Sequence, residues 1–279
     1  MVRNSTLPDF VDIAEGSRHS LGLTSDGVLM SWGKATKLGQ LGRDTTSNKT
    51  STGTDGKYTA TPGSRPGMVP LPTEIQRVSE IYASVGSPSE SGHSAIIDQD
   101  GNLWMSGCDR WQQLGLGSSN GGAAGYTWHK GKIWHERFTI SRFVTDLIKQ
   151  AESSPNGSDN SDRIHGQSSV SKQPQIRDVA LGGDHTLILS TNRNVYAFGK
   201  GGDGQLGLNA GKPFVSAPIK SPILSHRDAS AVCAVDACSI VLIGQDGKQH
   251  KKTGRCRSQA VLDGLARCIK TKREKGLIK

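Results

Sequence analysis

His19, His93 and His185 each stand directly before a Ser or a Thr, and Asp26 and Asp100 follow the first two by seven residues. A histidine within reach of a carboxylate can exchange protons near neutral pH, which is the equipment of acid–base catalysis. Gly202 to Gly207 reads GDGQLG, the G-x-G-x-x-G spacing that lets a backbone approach a pyrophosphate. Cys233, Cys238, His250 and Cys256 crowd into one stretch and are of the types that hold zinc. The residue types therefore spell three chemistries: proton transfer, dinucleotide binding and metal binding.

Each is weakened by its surroundings. The glycine motif runs on into LNAGKPFVSAP, and Pro213 stops the helix whose N-terminus a dinucleotide site needs. The cysteines lack a paired C-x-x-C knuckle, so buried thiols are expected rather than a metal site. Five Cys in a long chain that opens without an apolar signal core point to a reducing compartment. The His–Ser/Thr pairs return at one place in each unit of a repeat, which reads as a structural tie. No G-x-S-x-G elbow, Walker loop or H-E-x-x-H is present. No catalytic, cofactor-binding or metal-binding residue is expected, and an enzyme is not the favoured reading.

The elements that carry these residues form a repeat. It reads GSRHSLGLTSDGVLMSWG from Gly16, ESGHSAIIDQDGNLWMSG from Glu90 and GGDHTLILSTNRNVYAFG from Gly182. A fainter copy, DACSIVLIGQDGK, runs from Asp236 to Lys248. In the first three an apolar run follows the His, a polar turn comes next, and a second run closes on Gly33, Gly107 or Gly199. Apolar runs joined by Asp-Gly, at Asp26-Gly27, Asp100-Gly101 and Asp246-Gly247, are hairpin signals. IRDVALGG predicts a strand ahead of His185, and PIKSPIL and MVPLP predict outer strands. Each unit then holds about four antiparallel strands, the size of one propeller blade.

Composition agrees with short strands and tight turns: the apolar fraction is only 34%, while Gly reaches 35 residues. No apolar run is long enough to span a membrane, so no membrane partner is expected. From Lys248 to Lys279 there are eleven Lys or Arg against two acids, which accounts for the whole formal charge of +9. That tail reads first as a solvated end, with nuclear import through KTKREK or weak nucleic-acid association as the alternative. Two stretches interrupt the repeat. Residues 43–67 are rich in Thr, Gly and Ser and read as a loop. In residues 117–173 an aromatic part comes first and a polar, low-complexity part follows. Ile140, Phe143, Val144, Leu147, Ile148 and Ala151 recur there at helical spacing behind Ser141, predicting a capped helix. Tyr126, Trp128, Trp134, Phe138 and Phe143 are candidate partner-binding anchors, or else the face of a helix packed on the repeats.

These phrases resemble the regulator of chromosome condensation repeat family. The residues that carry the likeness are Gly16, His19 and Ser20, the Asp-Gly turn, the closing Trp32-Gly33, and the tags Gly39-Gln40-Leu41-Gly42 and Gly204-Gln205-Leu206-Gly207. Gln113-Leu114-Gly115 repeats the tag with Gln112 in place of its first Gly. The resemblance implies an all-β fold, a seven-bladed β-propeller in its members, of which this chain carries about four repeats near 9–42, 75–116, 174–208 and 228–248. An incomplete ring is therefore expected over 1–248, a fragment or one completed by a partner. The basic tail, 249–279, reads as a helix that could cap the open edge through Val261, Leu262, Leu265 and Ile269. The rim and loops of a propeller present a broad surface and no active site is marked, so a protein-interaction scaffold in the cytoplasm or nucleus is expected. Guanine-nucleotide exchange on a Ran-like small GTPase, or chromatin association through the tail, are the alternatives.

Overall fold

Alternating apolar residues between tight turns fold this chain into a row of antiparallel blades. The computed structural model describes residues 9–34, 39–45, 63–86, 92–116, 127–129, 132–141, 144, 146, 176–208 and 213–279. Blade 1 pairs β1 (Phe10–Glu15), β2 (His19–Thr24), β3 (Leu29–Gly33) and β4 (Gly67–Met68) in that order. Blade 2 orders β5 (Val78–Ala83), β6 (His93–Asp98), β7 (Leu103–Cys108), β9 (Lys132–Ile140) and, outermost, β8 (Thr127–His129). Blade 3 holds β10 (Ile176–Leu181), β11 (His185–Ser190), β12 (Val195–Lys200) and β13 (Phe214–Lys220). Blade 4 holds β14 (Ala229–Val235), β15 (Cys238–Ile243) and β16 (Gln249–Gly254), and the helix α1 (Gln259–Glu274) follows it.

The blades share one register. His19, His93 and His185 lie opposite the closing Gly33, Gly107 and Gly199. Those glycines are obligatory there: at Gly107, with φ +111°, an added Cβ would fall 2.6 Å from the His93 Cα. Blade 4 repeats the arrangement with Cys238 opposite Gly254. The fourth unit thus runs past Lys248, because KQHKKTG is an outer strand and needs no apolar face. Its lysines also suit an edge that must not pair further.

Packing is serial, and each blade meets the next through its own apolar cluster. Leu21, Leu23 and Leu29 meet Ile81, Ile96 and Trp104 between blades 1 and 2. Ile97 and Met105 meet Val179 and Phe198 between blades 2 and 3, and Leu187 and Leu189 meet Val232 and Val241 between blades 3 and 4. The aromatic insertion belongs to this core. Residues 132–140 are a strand, and of the helix expected behind Ser141 the described residues are Val144 and Asp146, both helical. Trp134 and Phe138 are 5% and 2% exposed, so neither offers a partner its ring. Phe138 packs at the blade 1–2 boundary, where Gly42 leaves room for it. Trp128 pairs with Ile133 in the β8–β9 ladder, and Tyr126 and Phe143 lie outside the described residues.

The tail is folded as well. Ser258 caps α1 by accepting from the Val261 N–H, and Val261 and Leu265 are buried against Cys233, Val235 and Ile240 of blade 4. Leu262, in contrast, points to solvent. Four of the five cysteines are not free thiols, which corrects the sequence-based reading: Cys233 is bonded to Cys268 and Cys238 to Cys256. Cys233 and Cys238 share one face of the β14–β15 hairpin, and the returning segment brings the other two sulfurs onto it. Cys108 lies outside these two disulfides and is buried.

At the other end of α1, two lysines one turn apart tie it to the inner strands. Each of β1, β5, β10 and β14 carries a bulge one residue after its start. The residue that follows the bulge is Asp12, Glu80 or Asp178 in blades 1 to 3 and Ala231 in blade 4. Lys272 donates to Asp178 at 2.5 Å, Lys275 donates to Asp12 at 2.8 Å, and Tyr82 donates to Glu80. Both ammonium groups also lie over the Tyr82 ring, at 5.5 and 5.4 Å. Burial, with Asp178 and Glu80 nearby, pushes the Tyr82 phenol well above its ordinary pKa. Among the described residues no helix is long and apolar enough to cross a membrane.

Asp178 and Lys272 are both buried, so removing one partner strands the other's charge. Lys272→Met is expected to cost about 3–5 kcal/mol, while Lys272→Met with Asp178→Leu recovers most of it. Urea unfolding of the two single variants and the double variant measures this coupling.

Candidate interaction site

The repeated His does not pair with a carboxylate. His19 Nε2 lies 2.7 Å from Ser94 Oγ, His93 Nε2 3.1 Å from Thr186 Oγ1, and His185 Nε2 2.7 Å from Ser239 Oγ. Each imidazole therefore reaches the hydroxyl that follows the corresponding position in the next blade. Ser94 in turn donates to the Gln40 carbonyl and Thr186 to the Gln113 carbonyl, both at 2.7 Å. A hydroxyl has one proton to give, so the imidazole must donate the other bond from Nε2. In blade 4 it is Thr253 that donates to the Gln205 carbonyl, at 3.2 Å. The result is a chain of staples, His to hydroxyl to tag, that binds each blade to its successor.

Burial keeps these histidines neutral, lowering the pKa to about 4 for His19 and about 3 for His93 and His185. For His93 the other two imidazoles add a smaller effect in the same direction. Asp26 is spent on its own turn, accepting from Thr24 with Gly27 at φ +85°, and Asp100-Gly101 turns the second hairpin. Gly202 to Gly207 is a loop, with Gly204 and Gly207 at positive φ and Gln205 Oε1 accepting from the Asp203 N–H. Gly39, Gln40 and Gly42 form the equivalent loop of blade 1. Among the described residues no group of three His, Cys, Asp or Glu could hold a metal ion.

The staple is incomplete at both ends of the row: blade 4 lacks its donor, and blade 1 keeps an acceptor without one among the described residues. Blade 4 has Cys238 where the His would be, and its sulfur is bonded to Cys256. Blade 1 has Ser20 in the place of Ser94, Thr186 and Ser239, and no imidazole reaches it among the described residues. The surrounding face is equally open. Ile13, Ile81, Val179 and Val232 occupy one register position, opposite Gly22, Ile96, Ile188 and Val241. The last three are covered by the preceding blade, Ile81 being 1% exposed, whereas Ile13 is 45% exposed. Val11 and Met68 are exposed beside it, and the Phe10 and Trp32 rings pack together over Gly22. A cavity of about 780 Å³ opens alongside, between β1 and the Arg267–Lys275 stretch of α1. Sequence patterning missed this face because FVDIAE alternates like any covered strand.

Four antiparallel blades in series, each stapled to the next, define a β-propeller arrangement. The sequence profile of the regulator of chromosome condensation (RCC1) repeat matches residues 10–40 and 176–205, within blades 1 and 3. The chain thus carries repeats of the RCC1 type. It is 28% identical to Protein RCC2 homolog of Xenopus laevis over 85% of its own length and 39% of that protein's. To human Protein RCC2 it is 28% identical over 83% of its length and 37% of that protein's. It thus spans about two fifths of the curated relatives it matches. Among solved structures, Prp20p of Saccharomyces cerevisiae superposes with a TM-score of 0.57 at 21% identity, over 96% of this chain and 48% of that one. Yeast RCC1 (Prp20) in complex with Kap60 gives 0.54 at 20% identity, over 95% and 46%.

The staples impose a pH dependence. The folded state holds each histidine neutral with a depressed pKa, so its contribution is complete above the unfolded pKa near 6.5. It is lost as pH falls from there towards 3–4, by on the order of 3 kcal/mol per histidine. Urea midpoints should decline steadily below pH 6.5. His93→Gln should flatten that decline while lowering stability at pH 7.

Proposed function

We propose that the chain is a protein-interaction scaffold whose docking surface is the open face of blade 1. The observation that carries this reading is Ile13: its equivalents in the other three blades are buried under a neighbour, and it is not. An apolar strand face of Val11, Ile13 and Met68, with the Ser20 hydroxyl ready to accept, is the half-interface that a partner would complete. The structural relatives give support of a general kind, since Prp20p was studied for binding to Gsp1p and histones, and yeast RCC1 was solved bound to Kap60. The basic tail supports nucleic-acid binding less than its composition suggests. Lys272 and Lys275 are committed to internal carboxylates, and Arg255 and Lys270 pair with Asp203 and Glu274.

Placing a charge on this face should abolish docking without unfolding the protein. Ile13→Glu is expected to cost a partner at least tenfold in affinity, as a desolvated carboxylate would at an apolar interface. Immobilised wild-type and Ile13→Glu chains, compared on one lysate, test this; an identical set of captured proteins overturns it.

A second reading is guanine-nucleotide exchange on a Ran-like GTPase, which the reported binding of Prp20p to Gsp1p favours. Exchange requires accelerated release of labelled GDP from Ran at catalytic amounts of the chain. No acceleration over a wide concentration range removes this reading and leaves the scaffold.

A further inference from the structure

Blade 4 turns one face to blade 3 and the other to the C-terminal segment. The second face carries Ala231, Cys233, Val235, Cys238, Ile240 and Leu242, none more than 4% exposed. What covers it is α1 and the residues after it, with Val261, Leu265 and Ile278 seated on the strands. One disulfide, Cys233–Cys268, runs from this face to α1, and the other, Cys238–Cys256, ties it to the turn that leads into α1. In blades 1, 2 and 3 the matching positions, Leu21 and Leu23, Ala95 and Ile97, Leu187 and Leu189, receive the next blade. The C-terminal segment therefore occupies the seat of a blade.

Such a seat fits a blade of this repeat type: an apolar residue at the Ile13 position and a hydroxyl at the Ser20 position. Among the described residues blade 1 is the blade whose corresponding face lacks a neighbouring blade. Within a single chain α1 stands between that face and blade 4, held at Asp12 by Lys275.

The geometry points to a disulfide-gated docking face on blade 4 whose occupant is blade 1 of a second copy of this chain, joined head to tail. This rests on the reading of the blade 1 face as a docking surface. Reduction opens both bonds, each taking two electrons and two protons from a dithiol such as dithiothreitol, which leaves as its cyclic disulfide. The C-terminal segment then comes away and the blade of the second copy replaces it. Asp178 keeps the Val179 and Val232 N–H groups as donors when Lys272 departs. The freed Cys238 thiol faces Ser20 of the second copy, as His185 faces Ser239 within one chain. A contact of this kind joins unlike surfaces, so it closes a ring or continues as an open chain.

Light scattering during gel filtration, with and without dithiothreitol, tests the inference, with thiol titration to establish that the bonds are open. The oxidised chain is expected at its monomer mass of 29.7 kDa. The reduced chain is expected at twice that mass or more, returning to monomer on reoxidation. C256S/C268S should associate without reductant, and adding I13E should return it to monomer. A fully reduced wild-type chain that stays monomeric overturns the inference, and so does a larger species that I13E leaves intact. If I13E abolishes partner capture while the reduced chain is monomeric, the scaffold reading stands and this one falls.

Discussion

A blade of four short strands has two faces to bury and no means of burying either alone. Everything in this chain follows from that constraint and from the staple that answers it. The staple is a neutral imidazole, and its neutrality is imposed by the position it holds. A charged His at full burial would be prohibitively desolvated, so the fold keeps the proton on Nε2 and aims it at one hydroxyl. In blades 2 and 3 that hydroxyl donates in turn to a backbone carbonyl of the tag loop. Three groups that would each be costly to bury unpaired thus satisfy one another across the blade boundary. The closing glycine completes the device, because only a residue without Cβ lets its strand approach the His backbone so closely.

A row of such blades is directional, and its two ends are chemically different. The first blade ends in an acceptor, Ser20, within an apolar face. The last blade has lost its donor. The fourth copy of the repeat looks degenerate where Cys238 replaces the His, yet that replacement ties β15 to Cys256 in the turn that leads into the cap. A histidine at 238 would have needed another blade to receive it; a cysteine needs only a second sulfur. The decay of the repeat and the closure of blade 4 are therefore one event seen at two levels.

The centre of the arc is organised by charge rather than by apolar packing. The position after the inner-strand bulge is acidic in three blades, and these acids converge on one region. Tyr82 and two lysines from a single turn of α1 answer them. Two lysines of the basic tail thus work inside the molecule, and the helix that blade 4 needs as a cap is the same one that neutralises the inner strands of blades 1 and 3.

The sequence by itself determined the blades, their strands and the places where hairpins turn. Period-two alternation, Asp-Gly turns and required glycines are local properties, legible without any partner. The tail helix was legible for the same reason: its apolar residues and its Ser258 cap lie within one segment. The tertiary structure alone decided the rest. The aromatic insertion has a composition suited either to a surface or to a core, and only the pairing of β9 with β7 puts Trp134 and Phe138 inside. Cys233 meets Cys268 because α1 docks, and nothing near either residue encodes the meeting. Asp12, Glu80 and Asp178 look like ordinary surface acids in their strands until the curvature of the arc brings them to one centre. Exposure at Ile13 is the clearest case, because its own strand is no different from those that are buried. What differs is the neighbouring blade, and a neighbour is a property of the assembled fold.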